Sequence, residues 1–249
     1  MLVTQTVILA AGIGVRLNGA ETGVPKPLLA VSGAPLVAHA LAHAQASGCT
    51  EAVVVVGHEG GRVRRAVEAI GSPLAIRFVE TPDPAAPNGH SLLAAAPLAD
   101  PRFFLQMVDH LFCDVVLPRL AVAPFAPAES GRVLVDRAPA GIDLDDATRV
   151  QLDGDRVVAI GKHIEPWDAV DAGCFVLTRD VFDALAEVPS DEPRTVSSAM
   201  RRLVARGALG SVDVAGVAWA DVDTPADRAA AERLLAAGAA RAIGGAAGR

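Results

Sequence analysis

The sequence of 249 residues predicts a single α/β domain with a mostly parallel sheet. In the first half of the chain, short apolar segments alternate with helical segments, which is the rhythm of strand–helix–strand crossover units. Hydrophobic residues make up 51% of the chain, which excludes intrinsic disorder and allows a full core. In the second half the rhythm becomes irregular and favours shorter strands. We therefore expect an antiparallel insertion there.

The first half contains a regular series of predicted elements. The continuous apolar run 52–56 is typical of a strand that is covered on both faces. Gly48 follows the first predicted helix at the position where Gly often ends helices. The predicted strands are 2–9, 52–56, 74–80 and 103–108, and the predicted helices are 35–47, 60–70 and 91–98.

The second half contains shorter predicted elements and one strong final helix. Asp153-Gly154 is a hairpin signal between two of the strands. Thr224 as N-cap, Pro225 at the first helical position and Asp227 in the first turn predict where the last helix begins. The tail 238–249 is rich in Ala and Gly, so we expect it to be flexible. The predicted strands are 132–136, 149–152, 157–160, 172–177 and 212–218, and the helices are 181–187, 195–205 and 224–237.

Charge and cysteine content exclude several function classes. The net charge of −7 argues against general nucleic-acid binding, which depends on Lys and Arg, so any phosphate binding must be local. The three cysteines are far apart and form no disulfide or zinc pattern, which favours a reducing cytoplasm. No apolar run reaches the ~18 residues that indicate a membrane span. The first ten residues also lack the basic start of a signal peptide. We expect a cytoplasmic chain with no membrane insertion.

A glycine-rich turn follows the first predicted strand. Gly12 and Gly14 lie in it, and such a turn presents backbone N–H groups at the ligand-binding edge of a parallel sheet. Leu17 replaces the third Gly of the dinucleotide fingerprint, and a Walker loop is absent. Alone, the turn fits an ordinary βα connection equally well. Arg16 and Lys26 favour phosphate binding, because Arg pairs with phosphate oxygens and two prolines hold the backbone around Lys26.

Acidic residues end two of the predicted strands. Asp109 follows the buried strand 103–108, and Asp221 and Asp223 lie just before the last helix. Carboxyl ends of parallel strands face the ligand crevice. Carboxylates combined with phosphate oxygens suit Mg²⁺, so these strand ends predict a Mg²⁺ site. Asp221 has two interpretations, as a substitute for Asp223 at the metal or as a cap of the following helix.

The chain resembles the sugar-phosphate nucleotidyltransferases over nearly its whole length. The resemblance rests on Leu9-Ala10-Ala11-Gly12-Ile13-Gly14-Val15-Arg16-Leu17 and on Pro25-Lys26-Pro27-Leu28-Leu29. It implies a Rossmann-like three-layer sandwich of the nucleotide-diphospho-sugar transferase type. Residues 1–113 would form the nucleotide-binding half and residues 114–237 the acceptor half. It also implies that the loop residues Leu9, Ala10, Ala11, Gly12 and Gly14 wrap the triphosphate, that Arg16 and Lys26 contact phosphates, and that Asp109 and Asp223 bind Mg²⁺.

Further segments are similar to one branch of this family, the CTP:inositol-1-phosphate cytidylyltransferases. They are 56–58, 87–93, 107–110, 160–162, 167–173 and 221–225. This resemblance implies transfer of CMP from CTP to inositol 1-phosphate, giving CDP-inositol and pyrophosphate. Such a reaction needs positioning and charge neutralisation, because the attacking phosphate is already anionic. The implied nucleotide-binding residues are Asn88, Gly89 and Ser91, and the implied acceptor-binding residues are Lys162, Trp167 and Asp171.

The expected partners are small molecules, namely an NTP and a sugar or polyol phosphate. Many relatives are fused to a membrane phosphotransferase, and we expect any such downstream partner here to be a separate protein. Ala172 stands where this branch leads us to expect Thr, which leaves the acceptor open. One alternative is therefore a nucleotidyltransferase that uses UTP, dTTP or GTP with another sugar 1-phosphate or small phosphorylated acceptor. Another is a non-catalytic nucleotide-binding module, which would be expected to lack Lys26 or a metal-binding Asp.

Other polar residues near the motifs are predicted to have ordinary roles. His58, His90, His110 and His163 are expected to form hydrogen bonds or to be solvated, since this is the common state of a loop His. His39 and His43 share a helix face without a third ligand, so zinc is not expected. Asp143, Asp145 and Asp146 resemble part of a calcium loop, but Thr148 stands where that loop requires Gly.

Overall fold

The computed structural model describes residues 2–13 and 23–246, with side chains described up to residue 238. The strands are β1 (Gln5–Ala10), β2 (Ala30–Val31), β3 (Ala34–Pro35), β4 (Glu51–Val56), β5 (Ala75–Glu80), β6 (Arg102–Met107), β7 (His110–Phe112), β8 (Gly131–Asp136), β9 (Arg149–Asp153), β10 (Arg156–Gly161), β11 (Ala169–Thr178), β12 (Leu209–Asp213) and β13 (Trp219–Asp221). The helices are α1 (Leu36–Ala46), α2 (Gly60–Ile70), α3 (Asn88–Ala94), α4 (Leu117–Leu120), α5 (Asp180–Ala186), α6 (Val196–Ala205) and α7 (Pro225–Ala246).

One mixed sheet organises the chain, in the order β5-β4-β1-β6-β11-β8-β12-β10-β9. The first four strands in this order are parallel to one another. β11 then runs antiparallel to both of its neighbours, β6 and β8, while β12 is parallel to β8. β10 is antiparallel to β12 and β9. The predicted fold class, parallel in its first half with an antiparallel insertion, is confirmed.

Side chains of the sheet alternate between two cores, which makes the domain a three-layer sandwich. In β1, Ile8 and Ala10 face one core, whereas Val7 and Leu9 face the other. α1, α2, α4 and α7 contribute to the first core, and α3, α5 and α6 to the second. The apolar run of β4 is buried on both faces, as a central strand requires. The carboxyl ends of β1 and β6 lie side by side in this sheet.

The structure corrects two element predictions near the end of the chain. The predicted strand 212–218 is wrong beyond residue 213, because Ala215 and Gly216 both have positive φ and turn the backbone between β12 and β13, which begins at Trp219. The predicted end of the last helix at residue 237 is also wrong, since α7 continues to Ala246. Its alanines have the highest helix propensity and extend the helix past Gly238. The division into a nucleotide half and an acceptor half and the flexibility of the tail stay predictions.

A small ribbon that the sequence pattern did not reveal lies beside the main sheet. β7 pairs with β13 in antiparallel register, so His110 faces Asp221 and Phe112 faces Trp219. β7 follows β6 directly, and α7 follows β13 directly. The ribbon therefore connects the carboxyl end of β6 to the start of α7. Among the described residues, no helix has the combination of length and hydropathy needed to cross a bilayer.

Candidate active site

Lys26 lies between two carboxylates from distant parts of the chain. Its Nζ contacts Oδ2 of Asp109 and Oδ1 of Asp223, and its side chain is only 9% exposed. Asp109 follows β6, and Asp223 precedes α7. A 3₁₀ turn over Lys26–Leu28, with a proline on each side of Lys26, holds the lysine backbone. The structure thus joins three residues that the sequence predicts to act together.

The charges in this cluster stabilise one another. Burial alone would lower the pKa of Lys26, but the charges of Asp109, Asp223 and Asp221 raise it well above its ordinary value. Burial alone would raise the pKa of Asp109, but Lys26 and His110 hold it well below its usual range. At neutral pH the lysine is therefore an ammonium ion and Asp109 is a carboxylate.

His110 belongs to the same cluster and forms a hydrogen bond, as predicted, although it lies in strand β7 rather than in a loop. Its Nδ1 lies 2.8 Å from Oδ1 of Asp109, and its side chain is 13% exposed. The imidazole stacks on the indole of Trp219 with the ring centroids 5.6 Å apart. Burial alone would lower the pKa of His110, but Asp221 and Asp109 raise it to about 9.

Asp221 faces the cluster rather than the helix that follows it. Asp227 and Thr224 cap that helix instead, since Oδ2 of Asp227 accepts a hydrogen bond from the Thr224 N–H at 2.7 Å. Oδ1 of Asp221 is buried and has no hydrogen-bond partner among the residues that the structure describes, and it lies 3.9 Å from Nδ1 of His110, beyond hydrogen-bond distance. Burial, with the charges of Asp109 and Asp223, raises the pKa of Asp221 to about 6 against the effect of His110.

These residues fit a divalent cation. Asp109, His110 and Asp221 have donor atoms within 4.8 Å of one another, and the Lys26 ammonium already lies as a cation between Asp109 and Asp223. The unpartnered oxygen of Asp221 offers a further ligand atom. Carboxylate oxygens are the ligands that Mg²⁺ prefers. Both Asp221 and Asp223 therefore remain candidates for the second metal ligand.

Two cavities meet at this cluster. The first, which we call the loop cavity, has a volume of about 290 Å³, and its wall includes Leu9, Gly12 and Ser91. The second, which we call the acidic cavity, has a volume of about 340 Å³, and its wall includes Lys162 and Asp171. The residues that line both cavities are Asn88, Met107, Asp109 and Asp223.

The loop cavity contains most of the predicted nucleotide-binding residues that the structure describes. Leu9, Ala11, Gly12, Asn88 and Ser91 line it, together with Lys26. Ala10 does not line it, because strand alternation turns this residue into the opposite core. Gly14 and Arg16 lie outside the described residues, so their predicted roles stay predictions.

Gly89 is placed differently from its predicted role. Its N–H donates a hydrogen bond to the carbonyl oxygen of Arg194 at 3.1 Å, and it does not line either cavity. A Cβ on Gly89 would lie 2.4 Å from that oxygen, so close packing explains the glycine. The neighbouring Asn88 also joins α3 to α6, since its Oδ1 accepts a hydrogen bond from the Val196 N–H at 2.9 Å. A contact between Gly89 and the base stays an untested prediction.

The acidic cavity brings together predicted residues and some that the sequence reasoning did not place. Lys162 lines it and forms an ion pair with Asp146, while Oδ1 of Asp171 accepts a hydrogen bond from the Gly173 N–H at 2.8 Å. Asp143 and Asp146 also line it, although their clustering in the sequence predicted no role for them in this site. Trp167 is absent from both cavity walls and packs near the guanidinium of Arg149, 5.8 Å from its ring centroid. Its predicted contact with the acceptor stays untested.

Known proteins with similar sequences include two curated relatives. A bifunctional IPC transferase and DIPP synthase of Rubrobacter xylanophilus is 38% identical over 232 residues, which are 92% of this chain and 51% of that protein. A CMP-5'-(3-aminopropyl)phosphonate synthase of Streptomyces rubellomurinus is 32% identical over 246 residues, which are 92% of this chain and 38% of that protein. The chain thus spans about half the length, or less, of these curated relatives.

A solved structure and a family profile also match this chain. The inositol-1-phosphate CTP transferase from T. maritima superposes with a TM-score of 0.82 at 26% identity, covering 94% of this chain and 95% of that one. The profile of the MobA-like NTP transferase domain matches residues 6–206. With its glycine loop, its Lys26 and its strand-end aspartates arranged around two joined cavities, the chain belongs to the family of MobA-like NTP transferase domains.

Proposed function

We propose that the chain transfers CMP from CTP to inositol 1-phosphate, or to a closely similar polyol phosphate, and releases pyrophosphate. The observation that carries this proposal is the meeting of two cavities at Asp109 and Asp223. A reaction that joins a nucleotide to a second phosphate needs two binding sites with one reacting centre between them. The names of the Rubrobacter and T. maritima relatives support the choice of CTP and inositol 1-phosphate.

The lining of the acidic cavity supports a polyol phosphate as acceptor. Lys162 supplies a cation for the phosphate group. Asp143, Asp146 and Asp171 supply carboxylate oxygens, which accept hydrogen bonds from hydroxyl groups. A ring with several hydroxyl groups and one phosphate matches this mixture of charges better than a second polyphosphate would.

The proposed chemistry is a direct displacement at phosphorus. An oxygen of the acceptor phosphate forms a bond to the α-phosphorus of CTP, while the bond from that phosphorus to the pyrophosphate oxygen breaks. The Lys26 ammonium at the junction of the cavities stabilises the negative charge that is redistributed in this step. Mg²⁺, held by Asp109 with Asp221 or Asp223, would neutralise part of the triphosphate charge. A strong base is not required, because the attacking oxygen is already anionic.

The bifunctional relatives suggest a second activity that uses the product. The Rubrobacter protein is about twice as long as the matched region, and its name includes a second reaction. We propose that a phosphotransferase, on a separate polypeptide or a fused one, consumes the nucleotide product. We also propose a cytoplasmic location, in which the cysteines Cys49, Cys113 and Cys174 stay reduced.

A phosphonate or phosphate that carries an ammonium group is a second candidate acceptor. The aspartates of the acidic cavity would attract an ammonium ion as well as hydroxyl groups. The name of the Streptomyces relative supports this candidate and again involves CMP.

Pyrophosphate release by the purified chain tests the proposal. CTP, UTP, dTTP and GTP should each be combined with inositol 1-phosphate, glucose 1-phosphate and 3-aminopropylphosphonate, with Mg²⁺ or with EDTA. We expect CTP with inositol 1-phosphate and Mg²⁺ to be fastest. A faster reaction with another pair would refute the substrate assignment and leave nucleotidyl transfer intact.

A pair of variants tests the reacting centre. D109N should lose at least about 100-fold in turnover, because it removes a carboxylate that contacts Lys26 and is available to the metal. D153N changes an exposed Asp outside both cavities and should keep wild-type turnover. Equal turnover of the two variants would contradict the placement of the site.

A further inference from the structure

The contact between His110 and Asp109 determines that Nδ1 of the imidazole carries a hydrogen. Oδ1 of Asp109 lies 2.8 Å from Nδ1 of His110, and Oδ2 contacts the ammonium of Lys26. An ionised carboxylate can only accept hydrogen bonds, so Nδ1 must carry the hydrogen and donate it. A ring nitrogen that donates in this way has no lone pair left for a metal ion. Nδ1 of His110 is therefore not a ligand atom, although His110 is one of the three residues with clustered donor atoms.

The imidazole is held in one orientation from several sides. Trp219 stacks on it with an interplanar angle of 11°, and the pairing of β7 with β13 fixes its backbone opposite Asp221. Gly173 lies close to the ring, since a Cβ on Gly173 would be 2.3 Å from Cδ2 of His110. The donor at Nδ1 is thus preorganised, and it fixes the plane of the Asp109 carboxylate.

We propose that His110 is a positioning residue for Asp109. Its Nδ1–H holds Oδ1 of Asp109, so that Oδ2 faces the junction of the two cavities, where Lys26 and a divalent cation compete for it. The importance of this positioning for catalysis rests on the proposed function. The geometry of the carboxylate and the affinity for a divalent cation can nevertheless be measured without any substrate. Groups that hydrogen-bond a ligating carboxylate typically change metal affinity by about 10- to 100-fold when they are removed.

Two variants of matched shape isolate the hydrogen bond. In H110N, the amide nitrogen lies the same number of bonds from Cα as Nδ1 and can donate to Oδ1. In H110L, a methyl group replaces that nitrogen, and both variants lose the stack on Trp219 equally. Mn²⁺ alone serves as the probe, and the free ion is counted by electron paramagnetic resonance. H110N should bind Mn²⁺ within about threefold of wild type, whereas H110L should bind it about 10- to 100-fold more weakly.

The outcomes separate this proposal from the proposed function. Equal Mn²⁺ affinity of H110L and H110N would overturn the positioning role, whatever the activity of the wild-type chain. Failure of the wild-type chain to release pyrophosphate would instead overturn the proposed function. If the chain is active, turnover of H110L should recover in part at high Mg²⁺ concentration, and an absence of recovery would contradict the proposal.

A measurement on the wild-type chain covers the case in which H110L does not fold. Nitrogen-15 NMR of labelled histidine should show that Nδ1 of His110 keeps its hydrogen when Mg²⁺ saturates the site. Loss of that hydrogen on addition of Mg²⁺ would make Nδ1 a ligand and would overturn the proposal.

Discussion

Gly173 lies against the imidazole of His110 so closely that no side chain fits between them. A Cβ built on Gly173 would lie 2.3 Å from Cδ2 and 2.5 Å from Nε2 of His110, and the φ angle of Gly173 is +72°. Two features thus require glycine at this position, namely the backbone conformation and the ring that touches it. Its N–H also donates to Asp171. Strand β11 therefore sets the position of a side chain on the β7–β13 ribbon.

The first prediction concerns this contact. G173A should lose more stability than G207A, because Gly207 has a similar φ of +65° but has open space around its Cβ position. The positive φ alone costs about 1 kcal/mol in both variants. G173A must also displace His110, so its turnover should fall about 10-fold or more while that of G207A stays at the wild-type level. Urea unfolding and pyrophosphate release measure the two effects. Equal losses in both variants would contradict the role of the ring contact.

The second prediction concerns the cation between the carboxylates. K26M leaves Asp109, Asp221 and Asp223 without their ammonium partner and should lower the free energy of unfolding by about 3 kcal/mol at pH 7. Turnover should fall by more than about 100-fold. Addition of MgCl₂ should raise the melting temperature of K26M more than that of wild type, since the divalent cation replaces the missing charge. The same rise in both proteins would argue against a metal site at these carboxylates.

The third prediction concerns pH. Burial raises the pKa of Asp171 to about 6 from the ordinary value of 3.8, against the effects of the Gly173 amide and of His110. A carboxyl whose pKa is higher in the folded state loses stabilising effect as pH rises from about 4 through about 6. D171N keeps an acceptor oxygen for the Gly173 N–H and removes the charge. It should therefore match wild-type stability at pH 4 and exceed it by about 3 kcal/mol at pH 8. A stability difference that does not change between these pH values would refute this assignment.

The fourth prediction separates the acceptor from the nucleotide. K162M should raise KM for the acceptor about 10-fold and leave KM for CTP unchanged, because Lys162 lines the acidic cavity and not the loop cavity. Its ion pair with Asp146 is exposed, so stability should change by no more than about 0.5 kcal/mol. R156M breaks a more exposed pair with Asp153, outside both cavities, and should change neither KM. A rise in KM for CTP with K162M would place that lysine at the nucleotide.

Much of the site could be predicted because strand ends and glycine turns leave local signals. Lys26 between its prolines and Asp109 at the end of a buried run are visible in the sequence, and the structure brings both to one junction. Asp223 was also predictable, since acidic residues precede the capped start of α7. These signals depend only on neighbouring residues and on the general geometry of parallel sheets.

The remaining residues could not be predicted because their roles depend on pairing across the fold. His110 is the sequence neighbour of Asp109, but its position opposite Asp221 depends on the pairing of β7 with β13. Two short strands of this kind have no periodicity that a sequence pattern can show. Asp143 and Asp146 come from a loop whose position depends on the antiparallel insertion. Gly89 shows the opposite case, because a residue in a recognisable motif packs against the Arg194 backbone instead of lining a cavity.

The contacts of Lys26 with Asp109 and Asp223 have a consequence for the order in which the site can form during synthesis on the ribosome. Lys26 and Asp109 are 83 positions apart, but Lys26 and Asp223 are 197 positions apart. The ammonium can meet its first carboxylate once residue 109 has been made, and it can meet the second only after residue 223 has been made. A nascent chain with only the early partner has an incomplete reacting centre. The cluster around Lys26 therefore cannot be complete before β13 and the start of α7 have been made.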